Sequence, residues 1–170
     1  ASTDGSIEFL KKNYPRIKIV QNSSNGGYAK GYNDALKRID EEIYALVNSD
    51  IEVTEGWLDP IIKEFERSPN TAVIQPKLLD YKDKTKFEYA GAAGGLVDFF
   101  GYPYCKGRVF NHLEHDQQQY NDTYPVFWGS GACLFIRSEV YHKLQGLDEN
   151  YFSHQEEIDL CWRIQNEGYD

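Results

Sequence analysis

Methionine is absent from the 170 residues, the first position included, so the sequence reads as an excerpt of something longer. No run of eighteen apolar residues occurs, and no transmembrane helix is encoded. The opening Ala1-Ser2-Thr3-Asp4-Gly5-Ser6 is polar and bears no basic residue, which is not a secretory leader. Cysteine is scarce and odd in number: Cys105, Cys133 and Cys161 stand far apart, with no CxxC pair. Reduced thiols of a cytoplasmic protein are the plain reading. Basic residues are few as well, 18 against 27 acids, for a net charge of −9. Phosphate neutralisation needs clustered Lys and Arg, so a general nucleic-acid surface is excluded. An anionic small ligand is not excluded, because a metal ion can hold one.

What is present alternates. Ser6–Asn13 has helical spacing and stops before Pro15. Residues 17–21, "IKIVQ", alternate as a short strand. A Gly-rich loop leads to a helical period over Tyr28–Ile39. A strand follows at Ile43–Val47, then a helix at Trp57–Arg67 with Ile61, Ile62 and Phe65 inward, then a strand at 72–75. This order predicts an α/β fold with a mostly parallel sheet flanked by helices. The second half has less period. Gly101–Pro125 is rich in Tyr, Asn, Gln and His, as a binding loop would be. A buried strand at Ala132–Ile136, a short helix at Ser138–Leu144 and a last helix at Glu156–Asn166 complete the chain. Ile158, Cys161, Trp162 and Ile164 are available to pack that last helix. There is no internal repeat, and residues 1–170 read as a single domain.

Three stretches are candidates for chemistry. In "LVNSDIEV" a hydrophobic strand runs straight into Asn48, Ser49 and Asp50. Ligands of open α/β sheets bind beyond the carboxyl ends of strands, and a carboxylate there can coordinate a hard cation. The plainer reading is a turn, which favours the same residues. "NGGYAKGYN", from Asn25 to Asn33, sets glycines before a helix start, where backbone N–H groups suit anions. Its spacing is neither a Walker loop nor GxGxxG, and an ordinary loop-to-helix turn fits equally. "HQEEIDLCWR" crowds Glu156, Glu157 and Asp159 into one helical turn. Acids there stabilise the helix dipole, or one of them, its pKa raised by its neighbours, serves as a general base. His112 and His115 lack a third ligand at metal spacing and read as loop residues.

Taken in order, these stretches resemble the inverting nucleotide-sugar glycosyltransferases of family 2, in particular the rhamnosyltransferase-like subgroup. "ASTDGS" is similar to the end of the first nucleotide-binding segment, and "NGGYAKGYNDAL" to the Asn-Gly-aromatic-Ala stretch. "LVNSDIEVTEGWLDP" resembles the DxD-type metal region, and "GSGACLFIRSEVYHKLQGLDENYF" the acceptor side. "EEIDLCWRIQNEGY" resembles the acid pair and its Asp-Leu-x-x-Arg helix. The resemblance implies a GT-A, Rossmann-like domain. Residues 1–80 would form its nucleotide-sugar and metal half, and residues 81–170 its acceptor and catalytic-base half. It implies Mg²⁺ or Mn²⁺ on Asp50, with Asn48 where a first acid is usual. Nucleotide-sugar contacts would come from Asp4, Asn25, Gly26, Lys30, Asn33, Asn48 and Ser49, and acceptor contacts from Trp128, Gly131 and Asp159. Glu157 would be the base and Glu156 the second choice, although the family commonly has Asp where Glu157 stands. A first nucleotide-binding strand before Ala1 and a metal-shell His beyond Asp170 are missing, so the chain is expected to be truncated at both ends.

The partners implied are a nucleotide-sugar donor and a glycan or lipid-linked acceptor. The expected location is the cytoplasm, at the inner face of the membrane if parts outside this chain attach it there. Two other readings stand beside transfer. One is a catalytically silent glycan- or nucleotide-binding module on the same fold. The other is a nucleotidyltransferase, which the chain supports poorly because no Gly-rich loop with a following basic residue opens it.

Overall fold

The computed structural model describes residues 2–151 and 154–170. Ala1 and Phe152, at the ends of two of the family-like stretches, and Ser153 lie outside them.

The centre is a three-stranded sheet of β1 (Ile43–Val47), β2 (Val73–Ile74) and β7 (Cys133–Arg137), ordered β1-β7-β2. Leu46 pairs with Leu134 and Tyr44 with Ile136, while Ile74 pairs with Phe135. β7 is buried on both faces, as its unbroken apolar run requires. Leu134 and Ile136 face a core closed by α2 (Gly27–Leu36), α4 (Ser138–Lys143) and α5 (Glu156–Asn166). Cys133 and Phe135 face the opposite way, onto Ile61 and Phe65 of α3 (Leu58–Arg67).

The α/β alternation is as expected, but the strand directions need one correction. β1 and β2 run in the same sense, yet every ladder in this sheet is antiparallel, because β7 lies between them. No helical crossover joins β2 to β7. The chain between them folds instead into two hairpins, β3 (Gly95–Val97) with β4 (Pro103–Cys105) and β5 (Arg108–Val109) with β6 (His112–Leu113). Only a crossover connection obliges a parallel return.

Local corrections follow the same logic of missing neighbours. Residues 17–21 form no strand, since no partner lies beside them among the described residues, and Ile17 is exposed. Ile62 is 40 % exposed, whereas Ile61 and Phe65, four residues apart, share the buried face. Trp162 on α5 is half-exposed, edge-on to Phe127, and Leu160 takes the inward position instead. α1 (Ser6–Asn13) stands where expected but buries no side chain.

Candidate active site

The end of β1 and the start of β7 meet at one edge of the sheet. Asn48 N–H donates to the Ala132 carbonyl at 2.9 Å, extending the ladder by one step. The chain then turns, with Ile51 N–H returning to the Asn48 carbonyl at 3.3 Å. Ser49 and Asp50 occupy that turn, exposed, beyond the carboxyl end of β1. Asp50 therefore stands on the side where α/β sheets bind ligands. Among the described residues its carboxylate takes part in no hydrogen bond or ion pair, and no cluster of three metal-ligating side chains forms. One free hard-oxygen ligand does not hold a resident ion. It does fit an ion that arrives with diphosphate oxygens, the usual arrangement for Mg²⁺.

Next to Ala132, Gly131 is the pivot of the site. The Tyr28 hydroxyl, from the first turn of α2, donates to the Gly131 carbonyl at 2.6 Å. The Glu157 carboxylate lies against Gly131, whose N–H favours its charged form. A Cβ on Gly131 would lie 3.1 Å from the Tyr28 oxygen and 3.7 Å from the Glu157 carboxyl carbon. The space in front of Glu157 thus stays open because residue 131 has no side chain. Gln75 fixes the same loop from behind: its Oε1 accepts from Ser130 N–H at 2.6 Å and its Nε2 donates to the Gly91 carbonyl at 3.1 Å.

Glu157 is partly buried at the start of α5 and Glu156 is 4 % exposed. Among the described residues Oε2 of each is buried without a hydrogen-bond partner. Burial pushes the Glu157 carboxyl above its ordinary value, and the neighbouring Glu156 adds to the rise. Its own N–H, the N–H of Gly131 and His154 pull the other way. Burial also raises the Tyr28 phenol, and Glu157 adds to that rise, so Tyr28 stays a proton donor toward Gly131. The turn into α5 is strained: His154 (φ 78°) and Gln155 (φ 69°) are consecutive left-handed residues without glycine. Such a conformation costs on the order of 1–3 kcal/mol per residue and persists only where the surroundings impose it. Here it aims the first turn of α5 at Gly131.

The structure sorts the other expected residues. Asn25 accepts from Gly27 N–H at 3.1 Å and Gly26 caps α2, so both shape that helix start. Lys30 lies half-buried on α2, paired with Asp34 at 2.8 Å and Glu149 at 3.7 Å. Such partly exposed pairs are weak and exchangeable. Asp4 caps its own turn, accepting from the Ser6 hydroxyl at 2.6 Å and Ser6 N–H at 3.2 Å. Asn33 requires correction. It is 7 % exposed, and its carboxamide donates to the Leu147 carbonyl and Glu149 and accepts from the Tyr141 hydroxyl and Leu147 N–H. All four of its bonds are used inside the protein, and none is left for a nucleotide.

Trp128 is also a frame residue. Its indole N–H donates to the Leu96 carbonyl at 3.1 Å and its ring is buried beneath β3. It borders a groove of about 860 Å³ between α3, residues 120–129 and α5, which neither Asp50 nor Glu157 lines. Asp159 holds the Arg163 guanidinium at 2.7 and 2.9 Å, and Arg163 in turn donates to the Leu144 and Gly146 carbonyls. That pair ties α5 to the end of α4 and the loop after it, so Asp159 serves the frame. Tyr28 and Gln75 are the residues sequence reasoning missed. A signal existed for Tyr28, which with Tyr32 forms an i, i+4 aromatic pair on one helix face. Gln75 gave none.

Comparison with known proteins agrees with this geometry. Residues 1–145 match the family described as Glycosyl transferase family 2. The chain belongs to that family. The GT-A type of α/β fold follows from membership. An N-acetylglucosaminyl-diphospho-decaprenol L-rhamnosyltransferase of Mycobacterium tuberculosis is 23% identical, covering 99% of this chain and 59% of its own length. The O-antigen biosynthesis protein RfbC of Myxococcus xanthus is 27% identical over 80% of this chain and 10% of its own length. A low-salt glycan biosynthesis hexosyltransferase of Haloferax volcanii, Agl10, is 24% identical over 89% of the chain and 47% of its own length. The chain therefore spans about three-fifths or less of these family 2 relatives.

Proposed function

We propose that this family 2 domain transfers a sugar, with inversion, from a nucleotide-sugar to a hydroxyl of a glycan or lipid-linked acceptor, in the cytoplasm. The observation that carries the reading is Glu157: a carboxylate with raised proton affinity and, among the described residues, an unpartnered buried oxygen, next to Gly131 and beside the exit of β1 that bears Asp50. Relatives named as a rhamnosyltransferase and a hexosyltransferase support it, the first with a lipid-diphosphate acceptor in its name.

Asp50 would hold Mg²⁺ or Mn²⁺, which offsets charge growing on the leaving nucleoside diphosphate. Gly131, without a side chain, leaves the Glu157 carboxylate open toward the acceptor. Glu157 takes the hydroxyl proton as that oxygen bonds to the anomeric carbon and the bond to the diphosphate breaks. The sugar passes through an oxocarbenium-like state. Glu156, deeper, stays behind it and keeps the proton affinity of Glu157 high. Glu157 is longer by a methylene than the commoner Asp, and Gly131, lacking a side chain, leaves room for it.

Mass spectrometry of products from a nucleotide-sugar panel tests the reading. Glu157→Gln should cost ~10²-fold or more in rate with donor affinity nearly kept. A silent binding module would bind donor and never hydrolyse or transfer it, in wild type and variant alike.

A further inference from the structure

The family 2 site uses nothing of the two hairpins that replace a crossover between β2 and β7. The β3–β4 turn ends in Phe99 and Phe100, 95 % and 81 % exposed, packed edge-to-face at 5.5 Å. This tip is not a loose loop: the Asp98 carboxylate accepts from Phe100 N–H and Tyr102 N–H at 2.8 and 2.9 Å. After β4 a two-residue turn at 106–107 folds β5 back beside β4. The β5–β6 turn that follows carries Phe110, 89 % exposed. Three strongly exposed phenyl rings thus stand on the turns of the two consecutive hairpins. Tyr102 and Tyr104 stand behind them, exposed as well. At the foot, Lys106 lies over Tyr124 and Arg108 over Tyr89.

Charge is distributed to match. The chain has 27 acids in 170 residues, yet residues 99–113 contain none and carry Lys106 and Arg108 as their formal charges; the one acid at the tip, Asp98, has its carboxylate bonded to the turn's own N–H groups. Exposure falls from the phenyl rings to Tyr102 and Tyr104, with two cations stacked on tyrosine rings nearby, a composition that a lipid interface selects. The tips are also convex. A protein partner would need a matching cavity for each, whereas a bilayer surface needs none.

We propose that the Phe99–Phe100 and Phe110 turns seat this protein on the surface of a lipid bilayer, with Tyr102 and Tyr104 at headgroup depth. Attachment would then come from this chain itself, and not only from parts outside it. β3 carries the consequence to the site. Gly95 exchanges backbone bonds with Trp128 at 2.9 and 3.2 Å, three residues before Gly131. The proposal rests on the functional reading in one respect, that a lipid-linked acceptor is presented at such a surface.

Vesicle flotation tests it without donor or acceptor, so its failure leaves the transfer reading untouched. The wild-type chain should float with phosphatidylcholine vesicles at about 1 mM lipid, the range in which weak interfacial anchors partition. Each Phe→Ser change at 99, 100 and 110 should weaken partition about tenfold. Salt at about 1 M, with a Debye length near 3 Å, should not release the protein. Melting of the triple variant should match wild type, since all three rings are in water. Phe100→Trp, in an otherwise intact chain, should emit at shorter wavelength when vesicles are added. The proposal is overturned if wild type stays with the pellet fraction, if the triple variant floats equally, or if the tryptophan band does not move. It is also overturned if the variant only abolishes a dimer in sedimentation velocity, which would make the tips a self-association surface.

Discussion

Glu157 holds its carboxylate where water has been largely removed, with a second acid beside it. The stability consequence has a definite sign. Its proton affinity is higher in the folded chain than the ordinary carboxylate value of 4.5, so the folded state binds the proton more readily than the unfolded one. Stability then falls as pH rises from about 4.5 through the raised folded value, and the loss persists above it. Glu157→Gln removes that titration. The variant should melt higher than wild type at neutral pH, and the gap should close below about pH 4.5, as thermal denaturation across pH 3.5–8 would show. If the acids only stabilised the helix dipole, the variant would melt lower at neutral pH. Asn33 is the opposite kind of residue, polar and buried with every bond satisfied. Asn33→Ala strands the Tyr141 hydroxyl and Leu147 N–H. Unsatisfied buried groups cost about 1–3 kcal/mol each, so a loss of about 2–6 kcal/mol is expected. For a chain of this size that is a fall of roughly 4–24 °C in Tm, with the site side chains unmoved in near-UV spectra.

At the scale of elements, the β3–β4 hairpin is the least conventional part, and one close contact governs it. A Cβ on Gly95 would overlap the Trp128 indole, and backbone bonds on both sides prevent escape. Gly95→Ala should destabilise by about 1–3 kcal/mol through overpacking. Hydrogen exchange should quicken at Phe127 and Trp128 while β1 and β7 stay protected, because the hairpin opens as its own unit. Equal quickening in β7 would count against that independence. Elements with strong local pattern were legible in the sequence: α1, β1, α3 and α5 lie within a residue of where periodicity puts them. The two hairpins were not. Their strands are two or three residues long, too short for alternation to register, and what holds them is distant, Trp128 for β3 and Phe87 against Gly107. Residues 17–21 failed for the converse reason, having the alternation but no neighbour. At the site, motif order set Asn33 and Trp128 beside Glu157, Gly131 and Asp50, since spacing cannot tell whether a polar atom's bonds are already taken.

For the molecule as a whole, the site is a junction between the two halves of the sequence. Asp50 comes from the first and Glu157 from the second, and the Asn48–Ala132 bond and the Tyr28–Gly131 bond hold them at one sheet edge. The halves contribute unequally. The second brings a preorganised carboxylate, whereas the first brings a single exposed carboxylate with no companion ligands among the described residues. Metal and diphosphate should therefore bind only together. With metal alone, Asp50 faces the full hydration shell of the ion, and Mg²⁺ in particular gives up its waters reluctantly. With a diphosphate present, phosphate oxygens supply most of the coordination and Asp50 adds one anionic oxygen and a fixed position. Calorimetry should show negligible heat for Mn²⁺ alone and weak binding of nucleoside diphosphate alone. Binding of the two together should be tighter by about 5–150-fold, the usual range of coupling between ligands. Asp50→Asn keeps the shape and loses the charge, so it should remove most of that gain while leaving the melting temperature and the metal-free affinity in place. Reciprocity gives a second check: diphosphate must raise Mn²⁺ affinity by the same factor that Mn²⁺ raises diphosphate affinity. Equal diphosphate affinity with and without Mn²⁺ would show that the turn after β1 is only a turn.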